Sequence, residues 1–337
     1  MNKIAIIGAG PAGIIAAVTL SKLNYQVWLF EKEAFTNINL RNKMFLFPDF
    51  SEAKNLIEKL DEELKLSFVK LMPEKEIVHI EQQGKKWKLF DQNKQEYEAD
   101  AVLLTTGYEV FDAKRKEELG YGIYKGVITS MDLEQMFKDG KIVNSIGETP
   151  KKIVFLQCVG SRDEKSGNNY CSKICCITAV KQAIEIRKFL PETEVNIFYM
   201  DLRMWGQSYE ELYREAQEKY NIYFVRGRIS EAAATFDSKI QIKSEDTLLG
   251  VPLKMTTDLL VLMVGMEPAA GTKKLSQKCQ ISGEYGFAQS QNQHLNDNRT
   301  TQEGLFVAGS CKRPVNITDA IADARSAAMN IHDYLKN

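Results

Sequence analysis

The stretch that most constrains the fold is the GAGPAG run at residues 8–13. A short apolar run precedes it, a helical stretch to about Leu23 follows it, and a second strand-like run ends at Glu31. In such a motif the first glycine permits a tight turn, the second lets the backbone approach a pyrophosphate, and the third lets helix and strand pack closely. Glu31 lies eighteen positions after the third glycine, which completes the context of a dinucleotide-binding βαβ unit.

The acidic residue at the end of the second strand limits which nucleotide can bind. Glu31 is expected to accept hydrogen bonds from ribose hydroxyls, and its carboxylate would repel a 2′-phosphate, so FAD or NAD is favoured over NADP. A βαβ unit that binds no nucleotide is the alternative. The nucleotide contacts predicted in this part of the chain are Gly8, Gly10, Pro11, Ala12, Gly13, Glu31 and Lys32.

A second feature is a cluster of cysteines in the middle of the chain. Four of the six cysteines fall within nineteen residues, spaced C-x12-C-x3-C-C, between a strand-like run at 152–157 and a helical pattern at 172–190. Two adjacent cysteines at a helix start are not expected to face one core together, so a metal site is favoured over inert buried thiols. The spacing matches neither the common ferredoxin patterns nor a zinc ribbon, which leaves both iron–sulfur and zinc open. The predicted ligands are Cys158, Cys171, Cys175 and Cys176.

The composition is that of a globular protein with no sign of a nucleic-acid or membrane partner. The 337 residues are enough for two domains, with 44% hydrophobic and 26% charged residues. A net charge of −1 without a basic block gives no reason to expect nucleic acid or an anionic membrane. Glycines and a proline interrupt the uncharged stretch at 4–21, so neither a signal peptide nor direct membrane insertion is expected. Clustered cysteines suit a reducing compartment, and a cytoplasmic location follows.

The rest of the chain repeats the βαβ architecture. Short β-like runs between residues 76 and 104 lead into a Thr-Thr-Gly turn, and residues 110–150 are interpreted as a connecting excursion with one short helix. A second βαβ unit spans 152–201, and the C-terminal segment holds a strand, the turn Gly309-Ser310-Cys311 and a final helix from about Thr318. The predicted fold class is α/β, with two Rossmann-like dinucleotide-binding domains, the second inserted into the first. The predicted domains are 1–112 with 266–337, and 113–265.

The cysteine stretch also carries a family resemblance. The run from Cys158 to Asp163, with the YCS triplet around Cys171 and the Cys175-Cys176 pair, resembles the A subunit of heterodisulfide reductase. It is similar as well to the A subunit of quinone-interacting membrane-bound oxidoreductases and to heterodisulfide-reductase-like proteins of sulfur oxidation. Further matching runs extend along the chain: Val127–Ser130, Arg226–Arg228, Gly265–Pro268, Glu284–Phe287 and Ala308–Cys311.

This resemblance implies a thioredoxin-reductase-like core with FAD and, held by the four cysteines, a 4Fe-4S cluster beside the flavin. The final helix would then aim its positive N-terminal end at the flavin. Cys311 is either a redox-active thiol or a small residue that replaces an acid found there in other flavoproteins. Other subunits of a heterodisulfide-reductase-like or quinone-interacting complex are the expected partners, and a homodimer is also compatible. The further contacts predicted for FAD are Thr106, Gly107, Gly309, Ser310, Thr318 and Ala320.

The departures from the family pattern favour a minimal version with flavin and one cluster. No C-x2-C-x2-C-x3-C run is present, and Phe47-Pro48 is not followed by the C-x2-C pair usual in the family. The predicted function is that of an electron-transfer subunit in which two-electron flavin chemistry is converted to one-electron transfer. The alternatives are a stand-alone NADH-dependent FAD oxidoreductase and a flavoprotein with a structural zinc site. An ordinary NAD(P)H site is not expected, because the cysteine loop takes the place of the second glycine turn.

Overall fold

The computed structural model describes residues 1–336 and divides into two compact units. Unit 1 contains Met1–Arg41, Ala53–Glu109 and the chain from Glu267 onward. Unit 2 contains Asn42–Glu52 and Val110–Met266. The chain therefore enters unit 2 twice, first for a short segment and later for a complete Rossmann-like layer.

The strands are short and are numbered here in chain order. They are β1 (Lys3–Ile7), β2 (Gln26–Phe30), β3 (Lys70–Met72), β4 (Ile77–Gln83), β5 (Lys86–Asp91), β6 (Glu96–Ala99), β7 (Ala101–Leu104), β8 (Tyr108–Val110), β9 (Val127–Thr129), β10 (Lys152–Val159), β11 (Glu194–Tyr199), β12 (Tyr223–Arg226), β13 (Glu231–Ala234), β14 (Ile240–Asp246), β15 (Val251–Thr257), β16 (Leu259–Val264), β17 (Met266–Pro268) and β18 (Leu305–Val307).

The α-helices connect or flank these strands. They are α1 (Pro11–Lys22), α2 (Ile38–Arg41), α3 (Ala53–Lys65), α4 (Ser130–Lys138), α5 (Cys175–Phe189), α6 (Tyr209–Glu218), α7 (Ala270–Lys278) and α8 (Ile317–Lys336).

Unit 1 is built on a parallel sheet in the order β18-β7-β1-β2-β3. Strands β1 and β7 are buried along almost their whole length, as expected for the centre of a sheet with both faces covered. Helix α1 is rich in alanine and isoleucine, is buried on most sides, and packs against α8. Of the β-like runs predicted between residues 76 and 104, two form β4 and β5 of a separate antiparallel sheet, β4-β5-β6, and the last forms β7 of the parallel sheet. The carboxyl ends of β1, β2, β7 and β18 consequently meet at one edge.

Unit 2 repeats the plan with a parallel sheet in the order β12-β11-β10-β16-β9. Helix α5 packs on β10, β11 and β16, and a separate antiparallel sheet, β13-β14-β15, shares a hydrophobic core with β10 and β16. The interpretation of 110–150 as a connecting excursion is wrong in one respect. Residues Val127–Thr129 form β9, an outer strand of this sheet, and α4 follows directly with a capping box between Thr129 and Asp132.

The predicted domain boundaries lie close to the points where the chain passes between units. The prediction changes domain at 112/113 and 265/266, whereas the units change at 109/110 and 266/267. The additional piece of unit 2 is the segment 42–52, which the sequence assigned to the first domain. Its apolar residues Met44, Phe47 and Phe50 pack against the core of unit 2.

A buried charge cluster fastens the segment 42–52 to unit 2. Lys181 Nζ donates to Phe45 O at 2.9 Å and to Glu134 Oε1 at 2.8 Å, and Met44 N donates to Glu134 Oε2 at 3.0 Å. Glu185 lies 3.2 Å from the same ammonium. Burial raises the pKa of Glu185 to about 7, while the positive charges of Lys181 and Lys43 overcome burial at Glu134 and lower its pKa.

Candidate functional site

The glycine turn after β1 packs so closely against neighbouring backbone that a side chain would not fit at two of its positions. Gly8 has φ +108°, and a Cβ there would lie 2.4 Å from Thr105 O. A Cβ at Gly13 would lie 1.9 Å from Gly8 O. Thr105 Oγ1 donates to Ile7 O at 3.0 Å and to Gly8 O at 2.8 Å, which fixes the turn against the end of β7. The fold itself therefore requires two of the three glycines.

Gly10 differs from its two neighbours because its surroundings are open. A Cβ at Gly10 would meet no atom within 4 Å. Gly10 is the N-cap of α1 and Pro11 is its first residue. The first N–H groups of a helix lack intrahelical acceptors, so the start of α1, which includes Ala12, offers donors and a positive dipole end. This open space at a helix start suits a pyrophosphate.

Glu31 is fixed directly beside this turn. Its carboxylate accepts hydrogen bonds from Ala9 N at 2.8 Å and from Glu33 N at 3.1 Å. Each carboxylate oxygen has further acceptor capacity, so ribose hydroxyls remain a compatible partner. The exposed ammonium of Lys32 lies 3.9 Å from a carboxylate oxygen of Glu33. Ribose binding by Glu31 and a contact from Lys32 stay predictions.

The remaining predicted FAD contacts of unit 1 lie at the same sheet edge. Thr106 shares a 2.6 Å hydrogen bond with Thr272 after β7, and Gly107 has φ +70° with open space around it. Helix α8 starts at Ile317 and is capped by Asn316, whose Oδ1 accepts from Asp319 N at 2.7 Å. Three further residues complete the set: half-buried Ser310, exposed Thr318 and buried Ala320.

A network on α8, which the sequence did not indicate, orients the turn after β18. Gly309 N donates to Asp323 Oδ2 at 2.6 Å, and Gly309 has φ +74°. Lys312 Nζ donates to Asp323 Oδ1 and to Asp297 Oδ2, both at 2.8 Å. Asn298 Nδ2 also donates to Asp323 Oδ1 at 2.8 Å. A single aspartate within a helical pattern gives no sequence signal of this role.

Cys311 lies inside unit 1. It is 0% exposed, and its thiol donates to Leu104 O at 3.2 Å and to Ala308 O at 3.1 Å. Burial raises the pKa of Cys311 to about 12, so the reactive thiolate is disfavoured. These surroundings support the small-residue interpretation over the redox-active one.

The second candidate site starts where β10 leaves its regular path. The pairing of β10 with β16 shifts register between Leu156 and Val159, and Cys158 has φ +60°. Gly160 follows with φ +74°, and a Cβ there would fall on the ring of Phe111. Arg162 and Lys173 also have positive φ. Such backbone strain in non-glycine residues is characteristic of functional loops.

The loop between Cys158 and Cys171 is pinned by its own polar side chains. Asn168 Nδ2 donates to Gly160 O at 3.0 Å, and Asp163 accepts from Lys116 Nζ and Ser166 Oγ, both at 2.8 Å. Burial opposes ionisation of Asp163, but the hydrogen bonds from Lys116 and Ser166 outweigh it and lower its pKa to about 2. These hydrogen bonds hold the loop in place.

The four predicted ligands come together at this loop as free thiols. Burial raises the pKa of Cys158 to about 12, and it also raises the pKa values of Cys175 and Cys176. The neighbouring thiols add to these shifts, so all four lie within electrostatic range of one another. Backbone N–H groups already donate to two of the sulfurs, Lys173 N to Cys171 at 3.3 Å and Arg203 N to Cys176 at 3.5 Å.

Two expectations about the cysteines are corrected. Helix α5 starts at Cys175 rather than at Ser172, because Lys173 has φ +65° and cannot be helical. Cys175 and Cys176 are 6% and 5% exposed and both border the same hydrophobic core, so adjacent cysteines do share one interior here. The pairing of Cys175 with Cys176 is therefore no argument for a metal site over inert buried thiols. A metal site is favoured instead by the loop between Cys158 and Cys171.

Unsatisfied polar atoms beside the thiols indicate that a group is to be accommodated. Gln157 Nε2 and Oε1 are buried without a hydrogen-bond partner, whereas Ser161 and Arg162 donate hydrogen bonds to the thiols of Cys175 and Cys158. Unpaired buried polar groups are costly and call for an explanation such as a bound ion or cluster. Within residues 1–336 no three or more His, Cys, Asp or Glu side chains are arranged to hold a metal ion.

One carboxylate and two guanidinium groups border the thiols. Arg162 Nη2 donates to Asp201 Oδ1 at 2.7 Å, and Arg203 Nε donates to Asp201 Oδ2 at 3.4 Å. The charge of Arg162 lowers the pKa of Cys158 and Cys176 in opposition to burial. Asp201 follows β11, where an NAD-binding unit would place its ribose acid, and here it is engaged by arginines instead.

Known proteins match the chain in three ways. Residues 2–146 match the pyridine nucleotide-disulphide oxidoreductase family. The A subunit of H(2):CoB-CoM heterodisulfide,ferredoxin reductase from Methanothermobacter thermautotrophicus is 41% identical over 240 residues, which cover 69% of this chain and 36% of that protein. The second iron-sulfur A subunit of CoB–CoM heterodisulfide reductase from Methanopyrus kandleri is 40% identical over 249 residues, 71% of this chain and 38% of that protein. The chain belongs to the family of heterodisulfide reductase A subunits.

Solved structures confirm the predicted fold class for this family member. Thioredoxin reductase from Lactococcus lactis, in its FR conformation, has a TM-score of 0.71 at 20% identity and covers 100% of this chain and 99% of its own. Thioredoxin reductase from T. acidophilum has a TM-score of 0.69 at 19% identity, with full coverage of both chains. The chain spans little more than a third of the length of the curated heterodisulfide reductase subunits that it matches. Among residues 1–336, no helix is long and apolar enough to cross a membrane.

Proposed function

We propose that this homologue of the heterodisulfide reductase A subunit is a flavin-dependent electron-transfer oxidoreductase with FAD in unit 1 and a 4Fe-4S cluster in unit 2. The observation that carries the proposal is the four-thiol loop at the end of β10, beside which both polar atoms of the buried Gln157 side chain lack a hydrogen-bond partner. A flavin exchanges electrons in pairs and an iron–sulfur cluster passes them singly, so one chain with both converts between the two.

The residues of unit 1 support FAD binding by complementary charge and shape. The start of α1 and the open space at Gly10 receive the pyrophosphate, and Glu31 receives ribose hydroxyls. Asp323 holds the Gly309 turn at the same sheet edge. Cys311 is buried and protonated, so it keeps a small volume and does not exchange electrons.

The residues of unit 2 support a cluster through ligands and hydrogen bonds. Cys158, Cys171, Cys175 and Cys176 supply four thiolates once the metal displaces their protons. The N–H groups of Lys173 and Arg203 and the guanidinium of Arg162 place positive charge at the sulfurs, which stabilises the more negative reduced cluster.

The chain is proposed to act without an NAD(P)H site of its own and to exchange electrons with other subunits of a heterodisulfide-reductase-like complex. The turn after β10 holds cysteines where a nicotinamide-binding unit has its glycine cradle. Asp201, at the ribose position, is neutralised by Arg162 and Arg203. Names of the matched relatives describe components of enzymes that act on a CoB–CoM heterodisulfide, and this substrate is the first to test.

The test is anaerobic purification with iron and sulfide reconstitution, followed by iron, zinc and flavin analysis. We expect one FAD, about four irons, broad absorption that dithionite bleaches, and a paramagnetic reduced state. Zinc in place of iron would overturn the cluster. Rapid stoichiometric reduction of the flavin by NADH or NADPH in the isolated chain would favour a stand-alone dehydrogenase.

A further inference from the structure

A buried glutamine of unit 2 has no hydrogen-bond partner at either end of its side-chain amide. Gln157 is 5% exposed, and neither its Nε2 nor its Oε1 is paired within the described part of the chain. In Gln182, another buried glutamine of unit 2, only Oε1 lacks a partner, because Nε2 donates to Ser130 O at 2.8 Å and to Glu134 Oε1 at 2.9 Å. A buried amide donor without an acceptor is costly, so Gln157 calls for an acceptor that the protein itself does not supply.

The bulge in β10 places this amide on the side of the sheet that carries the thiols. The register shift sets two residues, Gln157 and Cys158, opposite the single residue Met263 of β16. Bulges of this kind re-aim side chains, and facing residues of neighbouring strands lie on the same side of a sheet. Met263 belongs to the hydrophobic core that contains Cys175 and Cys176. Gln157 and Cys158 therefore face the side on which α5 begins with its two cysteines.

The thiols are not the missing acceptors, because each of the four already accepts a hydrogen bond from another residue. Two of these bonds come from side chains and two from backbone N–H groups. The donors are Ser161 for Cys175, Arg162 for Cys158, Lys173 N for Cys171 and Arg203 N for Cys176. The amide of Gln157 is thus a donor left over at a site where every sulfur of the protein has one. A four-iron cluster brings sulfurs of its own, the inorganic sulfides.

We propose that the Gln157 amide donates a hydrogen bond to an inorganic sulfide of the cluster and thereby raises the reduction potential of the cluster. This inference rests on the proposed 4Fe-4S cluster at the four cysteines. Hydrogen bonds to the sulfurs are among the features that set the potential of such clusters. Reduction adds one electron from an external reductant and makes the sulfides more negative, so a donor stabilises the reduced form more than the oxidised form. No covalent bond forms or breaks and no proton is transferred in that step.

The experiment compares the full chain with Gln157→Leu, which keeps a similar side-chain volume and removes the donor. Both are reconstituted anaerobically with FAD, iron and sulfide, and the cluster is titrated against one-electron mediators and followed by its paramagnetic signal. We expect Gln157→Leu to shift the equilibrium with the mediator about tenfold toward the oxidised cluster, which corresponds to about 59 mV of midpoint potential.

Urea unfolding gives a second measurement, in which a purely structural role would have the same effect with and without the cluster. Before reconstitution, Gln157→Leu should raise the unfolding midpoint, because a buried amide without a partner is removed. After reconstitution this gain should disappear or reverse, because the hydrogen bond to sulfide is lost. A third measurement needs no variant: with ¹⁵N in the glutamine side chains of the unmodified chain, hyperfine spectroscopy of the reduced cluster should detect a coupled ¹⁵N nucleus.

Gln182→Leu is the matched control, since it removes a buried amide of the same unit whose donor is already paired within the protein. It should lower the unfolding midpoint without a shift in potential. An unmodified chain that takes up no iron overturns both this inference and the proposed function. A cluster-bearing chain overturns the role of Gln157 alone if Gln157→Leu keeps the original potential, if Gln182→Leu shifts the potential as much, or if no ¹⁵N coupling is found.

Discussion

Replacing Gly10 by glutamate separates nucleotide binding from folding. Because a Cβ at Gly10 meets no atom within 4 Å, the side chain enters open space and the fold should tolerate it. The N-cap position of α1 makes the expected change in unfolding free energy less than about 1 kcal/mol. The same open space is where the pyrophosphate is proposed to lie, so the new carboxylate faces it.

The size of the effect follows from electrostatics. Two like charges about 4 Å apart near a protein surface repel by roughly 4 kcal/mol, which is close to a thousandfold in affinity. Gly10→Gln has nearly the same volume without the charge and is the matched control. We expect Gly10→Glu to bind FAD about a thousandfold more weakly than the original chain, and Gly10→Gln to lose clearly less.

The assay combines FAD titration of the deflavinated chain, followed by flavin fluorescence, with urea unfolding of the same samples. Normal flavin affinity in Gly10→Glu would show that the GAGPAG turn does not hold the pyrophosphate. Equal losses in Gly10→Glu and Gly10→Gln would show that volume, rather than charge, decides binding. A large fall in unfolding free energy in either variant would refute the argument from open space.

Four further changes test other parts of the molecule. Replacing any one of the predicted ligands Cys158, Cys171, Cys175 and Cys176 by serine should lower the iron content while FAD is retained. Cys279→Ser is the control. Full iron content in all four variants would disprove the ligand set. Gly13→Ala should destabilise unit 1 by about 3 kcal/mol in urea unfolding, because its Cβ would meet Gly8 O at 1.9 Å. Glu185→Gln should flatten the dependence of stability on pH. Since burial raises the pKa of Glu185 from 4.5 to about 7, the folded chain holds a proton that the unfolded chain releases, and stability falls by about 3 kcal/mol as pH rises through that window; an unchanged slope in the variant would refute this. Asp323→Asn should weaken FAD retention by freeing the Gly309 turn, without loss of iron; normal flavin content would count against the network.

The parts of the fold that the sequence reveals are those with a local signature. The GAGPAG turn combines glycines, strand and helix within thirty residues, and its geometry is explained by contacts at Gly8 and Gly13. The cysteine spacing likewise points to one loop. Both candidate sites can therefore be recognised from residues that are near one another in the chain.

The features that could not be predicted from the sequence depend on contacts between residues that are far apart in the chain. Strand β9 is three residues long, too short for a periodic pattern, and is defined only by its pairing with β16. In the sequence, Lys181 and Glu134 look like ordinary exposed charges on helices. They are buried as a pair because the segment 42–52 covers them. Asp323 is one aspartate in a helix, and only its hydrogen bond to Gly309 distinguishes it. The predicted start of α5 is wrong because lysine gives no sign of the positive φ at Lys173.

The segment 42–52 has a consequence for how the chain divides into fragments. A contiguous piece that begins at Val110 and ends at Met266 would lack eleven residues of unit 2, three of which, Met44, Phe47 and Phe50, pack against its core. Glu134 would also lose the hydrogen bond from Met44 N, and Lys181 would lose the carbonyl acceptor of Phe45, both inside the protein. Residues 42–52 thus complete unit 2 in the way that an added peptide complements a truncated protein. The stability of the cysteine-bearing unit therefore depends on a stretch of chain that precedes it by some sixty residues.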